Sequence, residues 1–208
     1  MSKKNWVQRQ RNDPYVKKAQ EQGWRARSAF KLLELDDTER LLRKARNVAD
    51  LGAAPGAWCQ VVRSRLRPGG CIFALDILPM EPLEGVVFVE GDFREASVLA
   101  RFEEALRASG AVDKLDLVLS DMAPNISGIG PSDQAKSMDL AELALAFAQD
   151  WLGANGIFVV KVFQGAGFDA FLTELRRSFA SVKSKKPKSS RAESREVYLV
   201  AKGLKSAD

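Results

Sequence analysis

There is no histidine in the 208 residues of this chain. That absence excludes Ser-His-Asp and Cys-His catalysis, imidazole-ligated zinc and any histidine general base. Cysteine is nearly absent too. Cys59 and Cys71 are not spaced as C-x-x-C and have no second pair, which argues against a zinc ribbon, a thioredoxin-type site or a disulfide framework and fits a reducing compartment. No run approaches the roughly 18 apolar residues needed to span a bilayer, and the first dozen residues lack a signal peptide's apolar region. A cytoplasmic monomer is expected, without membrane or metal.

What is present is ordinary in amount. Hydrophobic residues make up 46% and charged residues 28%, which argues against disorder or fibrous repeats, and the length suits a single compact domain with its own core. The charge, however, is segregated. Residues 1–46 hold 13 Lys and Arg against 6 Asp and Glu, residues 47–175 hold 9 against 18, and residues 176–208 hold 10 against 3. Two basic ends around an acidic middle read either as solvated tails or as a polyanion footprint, since Lys and Arg that neutralise phosphates release counterions. Trp6, Tyr15, Trp24 and Phe30 lie among the N-terminal charges, suited to stacking on RNA and equally to helix packing.

Apolar, β-branched runs at Asn47–Leu51, Cys71–Asp76, Val86–Glu90, Leu115–Ser120 and Gly156–Phe163 alternate with helical patterns near Trp58–Leu66, Ala96–Ser109, Ser132–Leu152 and Phe168–Ala180. This alternation predicts an α/β fold with a mostly parallel sheet and helices on both faces. Val182–Lys188 and Glu196–Lys202 read as a C-terminal antiparallel hairpin closing one edge. Pro14–Gln22 and Ala26–Leu42 read as two helices, so residues 1–46 are expected to form a basic helical extension and residues 47–208 the α/β domain.

The first strand runs into Asp50-Leu-Gly-Ala-Ala-Pro-Gly-Ala-Trp58, a turn with Gly52 at its bend. Doubly wound sheets bind ligands beside such a turn, at the carboxyl ends of the strands. A dinucleotide fingerprint needs G-x-G-x-x-G, and Ala54 stands where backbone would have to approach a pyrophosphate; a nicotinamide oxidoreductase is therefore disfavoured. Asp76, Asp92 and Asp121 close or follow the second, third and fourth strands, and Asp76 is placed to meet ribose hydroxyls. Three such carboxylates around a site with no phosphate loop suit an adenosine ligand bearing positive charge, as S-adenosylmethionine does.

Lys161 interrupts Ile157-Phe-Val-Val-Lys-Val-Phe163, a run hydrophobic enough to be buried on both faces. A lysine there is costly unless paired or neutral, or unless it snorkels from the strand end. Burial that lowers its pKa is one way a lysine becomes a general base. Lys31 and Glu196, judged by spacing alone, read as solvated charges.

Six segments then match a known pattern: Arg25-Ala-Arg-Ser-Ala-Phe-Lys-Leu32, Asp50-Leu-Gly-Ala-Ala-Pro-Gly56, Gly91-Asp-Phe-Arg94, Ser120-Asp-Met-Ala-Pro-Asn125, Val159-Val-Lys-Val-Phe-Gln-Gly165 and Ser189-Ser-Arg-Ala-Glu-Ser-Arg-Glu-Val-Tyr198. With them the chain resembles the RrmJ/FtsJ family of ribose 2′-O-methyltransferases over nearly its whole length, most closely the bacterial enzymes acting on large-subunit ribosomal RNA. The resemblance implies a Rossmann-like methyltransferase fold, S-adenosylmethionine as cofactor, and a catalytic tetrad at Lys31, Asp121, Lys161 and Glu196. It places cofactor contacts at Gly56, Trp58, Asp76, Asp92 and Asp121, beside Gly52 of the turn. Ala57 departs from the second glycine common in close relatives, a change of one methyl group that is expected to leave the site intact.

On this reading Lys161 orients or deprotonates the 2′-oxygen, Asp121 and Glu196 fix its ammonium, and Lys31 positions the ribose or a neighbouring phosphate. A general base must be neutral, whereas two adjacent carboxylates favour the charged form, which would steer the oxygen while water takes the proton. Both roles stay open here. Arg25, Arg27, Lys185, Lys186 and Lys188 are candidates for tracking RNA phosphates. The implied partner is large-subunit ribosomal RNA, a uridine of the peptidyl-transferase A loop within the 50S subunit. Transfer RNA, cap ribose and a non-catalytic assembly role are the alternatives.

Overall fold

The computed structural model describes residues 13–109, 114–124 and 130–205; Trp6 and Asn125 lie outside them. In chain order the elements are α1 (Pro14–Glu21), α2 (Ala29–Glu39), β1 (Asn47–Leu51), α3 (Ala57–Arg65), β2 (Cys71–Asp76), β3 (Val86–Glu90), α4 (Ala96–Ala108), β4 (Leu115–Ser120), α5 (Gly130–Trp151), β5 (Leu152–Phe163), α6 (Phe168–Ser178), β6 (Phe179–Lys185) and β7 (Glu196–Leu204). The strands form one sheet ordered β3-β2-β1-β4-β5-β7-β6. All neighbouring strands are parallel except β7, which runs antiparallel to both β5 and β6. The chain order reverses between β1 and β4, and ligands bind beside such a switch point.

Side-chain alternation along each strand divides the core into two layers. Phe73, Leu75, Val118, Phe158, Val160 and Val162 pack with Phe102, Met138, Phe147 and Leu175 of α4, α5 and α6. Ile72, Ala74, Leu117, Leu119, Val159, Tyr198 and Val200 pack on the other side with Leu32 and Leu35 of α2 and Trp58, Val61 and Val62 of α3. Each buried Val, Leu, Ile, Phe or Met among them contributes about 1.5–3 kcal/mol. Lys161 shares the parity of Val159, so it emerges on the face covered by α2 and α3. Helix α2 thereby belongs to the same core as the sheet.

The four strands β1 to β4 begin and end where the sequence pattern places them, and the largest differences fall at α2, β5 and β6. Helix α2 is shorter than predicted because Arg40 adopts a left-handed conformation (φ 56°, ψ 48°). That turn sends Leu41 and Leu42 into the core and is secured by the Leu42 amide donating to Asp36 Oδ1 at 2.8 Å. Strand β6 starts three residues early, directly from α6, because Phe179 is buried and stacks on Phe158 at 6.2 Å between ring centroids. It also stops before Pro187, which has no amide hydrogen for the ladder. Strand β5 begins at Leu152, with its register broken between the Leu115–Leu152 and Leu117–Ile157 pairs.

Candidate active site

The glycine turn is shaped by its neighbours. Gly52 has φ 81°, and a Cβ there would lie 2.8 Å from the Met122 main-chain nitrogen, so only glycine lets the segment after β4 approach. Asp76, at the end of β2, braces the turn: its Oδ2 accepts the Ala54 amide at 2.9 Å and its Oδ1 the Leu78 amide at 2.8 Å. Asp92 is engaged by Arg94, whose Nε donates at 2.9 Å and Nη2 at 2.5 Å. The hydrogen bonds from Arg94 hold the Asp92 carboxyl below its ordinary pKa. Trp58 is buried, its indole donating to the Ser28 carbonyl at 2.9 Å and its ring lying 5.8 Å from that of Tyr198.

The four residues of the tetrad converge although they come from α2, the segment after β4, β5 and β7. Lys161 Nζ lies 2.9 Å from Asp121 Oδ1 and donates to the Asp121 carbonyl at 2.6 Å. Lys31 Nζ donates to Glu196 Oε1 at 2.5 Å. Glu196 therefore partners Lys31 and not Lys161, so the tetrad is two ion pairs. Tyr198 joins them: its hydroxyl donates to Asp121 Oδ1 at 2.8 Å, and its ring lies under the Lys31 ammonium, 5.7 Å away. Register explains the convergence, because Lys161 stands opposite Tyr198 and Phe163 opposite Glu196 in the β5–β7 ladder.

Burial acts on these groups in opposite senses. It would raise the Asp121 carboxyl, but the charges of Lys161 and Lys31 and hydrogen bonds from Lys161 and Tyr198 hold it below its ordinary value. It raises Tyr198 well above the usual phenol, with the Asp121 and Glu196 charges adding to the effect. Tyr198 is accordingly a fixed donor. Sequence reading passed over it because Val197-Tyr-Leu-Val200 has the look of plain core.

Asp50 was also missed. It is fully buried at the end of β1, with Oδ1 lacking any partner and Oδ2 accepting from Cys59 Sγ at 3.1 Å. Burial pushes its carboxyl up to about 7, the Cys59 hydrogen bond opposes that, and the charges of Asp121 and Asp76 reinforce it. The available signal was the one that exposed Lys161, a charge inside an apolar run.

The five basic candidates for RNA contact are mostly engaged within the protein. Arg27 donates to Asp13 and to the Ser189 carbonyl. Lys185 pairs with Glu39 at 2.7 Å, where Lys183 and Lys202 also converge, and Glu39 falls to about 2 because those lysines outweigh its burial. Lys186 donates to the Ser194 carbonyl at 2.8 Å, whereas Lys188 is tied only by its main-chain amide, which donates to Glu34 at 2.6 Å, and its side chain is exposed. Arg25 reaches across the glycine turn, donating to the carbonyls of Pro55, Glu81 and Pro82.

Among the described residues no group of metal-ligating side chains clusters, and no helix is long and apolar enough to cross a membrane.

The chain is similar to known proteins. The chain is 53% identical over 202 residues to the ribosomal RNA large subunit methyltransferase E of Azoarcus sp. (strain BH72), covering 97% of both chains. It is 50% identical to the protein of the same name from Polaromonas naphthalenivorans, covering 97% of this chain and 86% of that one. A crystal structure of a ribosomal RNA methyltransferase from Plasmodium falciparum superposes with a TM-score of 0.75 at 30% identity, covering 87% of this chain and 98% of that one. Residues 24–204 match the family model for FtsJ-like methyltransferases, a span that takes in the glycine turn, both ion pairs and Tyr198, and the chain belongs to that family.

Proposed function

We propose that the protein transfers a methyl group from S-adenosylmethionine to a ribose 2′-hydroxyl of large-subunit ribosomal RNA. The observation that carries this reading is the Asp121–Lys161 ion pair at the carboxyl end of the sheet, joined through Tyr198 to Lys31 and Glu196. The site suits this cofactor. Asp50, Asp76 and Asp121 gather around the glycine turn, and the orphaned Asp50 oxygen marks a place where positive charge is favoured. S-adenosylmethionine, when bound, supplies a methyl group already activated by its sulfonium.

The chain's residues then have two tasks: to align the acceptor oxygen and to manage one proton. An ammonium has three N–H donors. Asp121 takes two of those on Lys161, through its carboxylate and its carbonyl, and leaves the third to point at a 2′-oxygen. An ionised Asp121 paired in this way fits Lys161 acting by polarising and steering that oxygen, with water receiving the proton. Lys31, braced by Glu196, is placed to hold the ribose or an adjoining phosphate.

The relatives' names supply the RNA class, and the target is proposed as a uridine of the peptidyl-transferase A loop in the 50S subunit. Residues 1–46 act in this reading as a basic extension that brings Lys31 to the methyltransferase domain of 47–208. Incubating the protein and methyl-labelled S-adenosylmethionine with ribosomal subunits and transfer RNA from cells lacking the gene is expected to label a ribose of large-subunit RNA. Label in transfer RNA, or on a base, would overturn the assignment.

Asp92→Ala is expected to weaken S-adenosylmethionine binding about tenfold, the cost of one lost hydrogen bond to a polar ligand at about 1–3 kcal/mol. Calorimetry on the folded variant checks this, and unchanged affinity removes Asp92 from the site.

A further inference from the structure

The strongest unexplained feature outside the tetrad is Arg25. Its position in the basic N-terminal segment marks it for RNA phosphates, but three of its five guanidinium N–H groups are already directed at main-chain carbonyls. Nη1 donates to the Pro55 carbonyl at 3.0 Å and the Glu81 carbonyl at 2.6 Å, and Nη2 donates to the Pro82 carbonyl at 3.0 Å. One carbonyl lies in the glycine turn, and two lie in the loop after β2 that begins at Asp76. Its own backbone is held from α3: the Arg25 amide donates to Gln60 Oε1 at 2.7 Å, and Gln60 Nε2 donates to the Gly23 carbonyl at 3.0 Å.

Apart from Asp76, whose carboxylate accepts the amides of Ala54 and Leu78, those two loops have little other means of joining. Pro55, Pro79 and Pro82 carry no amide hydrogen, and among the described residues no backbone hydrogen bond links 54–56 with 77–83. Three carbonyl oxygens pointed at one spot need a donor with several N–H groups in a fixed fork, which a guanidinium provides. The cleft between the loops, about 460 Å³, is lined by Arg25, Pro55, Pro79, Met80, Glu81 and Pro82. Gly56 completes the arrangement: with φ 100°, a Cβ there would come within 2.9 Å of Arg25 Nη1, Leu83 Cδ1 and Met80 Sδ.

We infer that Arg25 is a positioning residue of the cofactor site, a clamp that fixes the glycine turn against the loop after β2 and makes no contact with RNA. The inference rests on the proposed S-adenosylmethionine site. Arg25 also lies between α1 and α2, and α2 carries Lys31, so the clamp ties the acceptor-side helix to the cofactor loops.

The test separates KM from kcat. With ribosomal subunits as acceptor, Arg25→Ala is expected to raise the KM for S-adenosylmethionine about tenfold or more, while kcat at saturating cofactor and affinity for the subunits stay within about twofold. Arg25→Lys is not expected to restore the KM, because a single ammonium cannot span three carbonyls. Arg25→Gln keeps one donor nitrogen, gives a smaller rise, and serves if the alanine variant fails to fold. An unchanged KM overturns the clamp, and an unchanged KM with RNA affinity that is weaker and less dependent on salt returns Arg25 to a phosphate contact. Calorimetry on the unaltered protein comes first. If that protein itself binds no S-adenosylmethionine, the cofactor reading falls and the clamp with it; if it binds and Arg25→Ala binds equally, the clamp alone falls.

Discussion

Lys161→Ala is expected to reduce methyl transfer by roughly two to three orders of magnitude, the range associated with losing one positioned donor to a developing oxyanion, while S-adenosylmethionine affinity stays within a few-fold. The separation follows from geometry, since the Lys161 ammonium is turned toward Asp121 whereas Asp76 braces the glycine turn. Removing one partner of a buried pair is itself destabilising, by about 3–5 kcal/mol, so rates are to be compared at a temperature where the melting curve shows the variant folded. Lys161→Arg is expected to remain nearly inactive. Its wider, planar head cannot take both Asp121 acceptors and still present a donor to the 2′-oxygen in the same direction. A substantially active arginine variant would overturn the requirement for the lysine's geometry and, because guanidinium stays protonated, would also exclude proton abstraction by this side chain.

Stability is expected to fall as pH rises from about 4 to about 7, and Asp50 is the cause. Its carboxyl rises from 3.8 to about 7 on folding. Below pH 3.8 the folded and unfolded chains both hold this proton, and the group has no effect. Between the two values the unfolded chain has released it and the folded one has not, so each further rise in pH favours unfolding. Above about 7 both forms are ionised and the full cost is present, roughly 4 kcal/mol when a pKa unit is worth 1.36 kcal/mol. Denaturant titrations from pH 4 to 8 on the native protein and on Asp50→Asn measure the difference. The asparagine variant is expected to lose that portion of the slope, whatever its stability at any one pH; an identical slope in both proteins would remove Asp50 as the origin.

How far each residue was legible depended on what kind of signal it carried. Strands β1 to β4 are short apolar runs, β1 closed by the glycine turn after Leu51 and β2, β3 and β4 by Asp76, Glu90 and Ser120, and local pattern marks such runs at both ends. The end of α2 was not legible, because a left-handed Arg40 leaves no mark in sequence as a glycine would. Lys161 stood out as a charge in an apolar run, yet its partners could not be assigned from spacing. Glu196 belongs with Lys31 only because β7 inserts beside β5 in a particular register, and register is a tertiary property. Tyr198 is polar at one atom and packs as core with the others, so its hydroxyl bond to Asp121 was invisible until the strands were paired. Arg25 was counted among the basic residues by charge, whereas its role is set by three carbonyls that no composition count contains.

The antiparallel insertion of β7 has a consequence for the order in which the molecule can be assembled. Glu196 and Tyr198 enter the sheet on the last strand, between β5 and β6, which are both made earlier. Until residues 196–204 are synthesised, β5 and β6 have no strand between them, and their unpaired backbone groups are exposed to other nascent chains. The pairs then formed are distant in sequence from β5, and such closures are slow. A chain still emerging from the ribosome therefore lacks the Lys31 brace and the Tyr198 link, so the competence to modify RNA arrives in a single late step, with the strand that also seals the sheet.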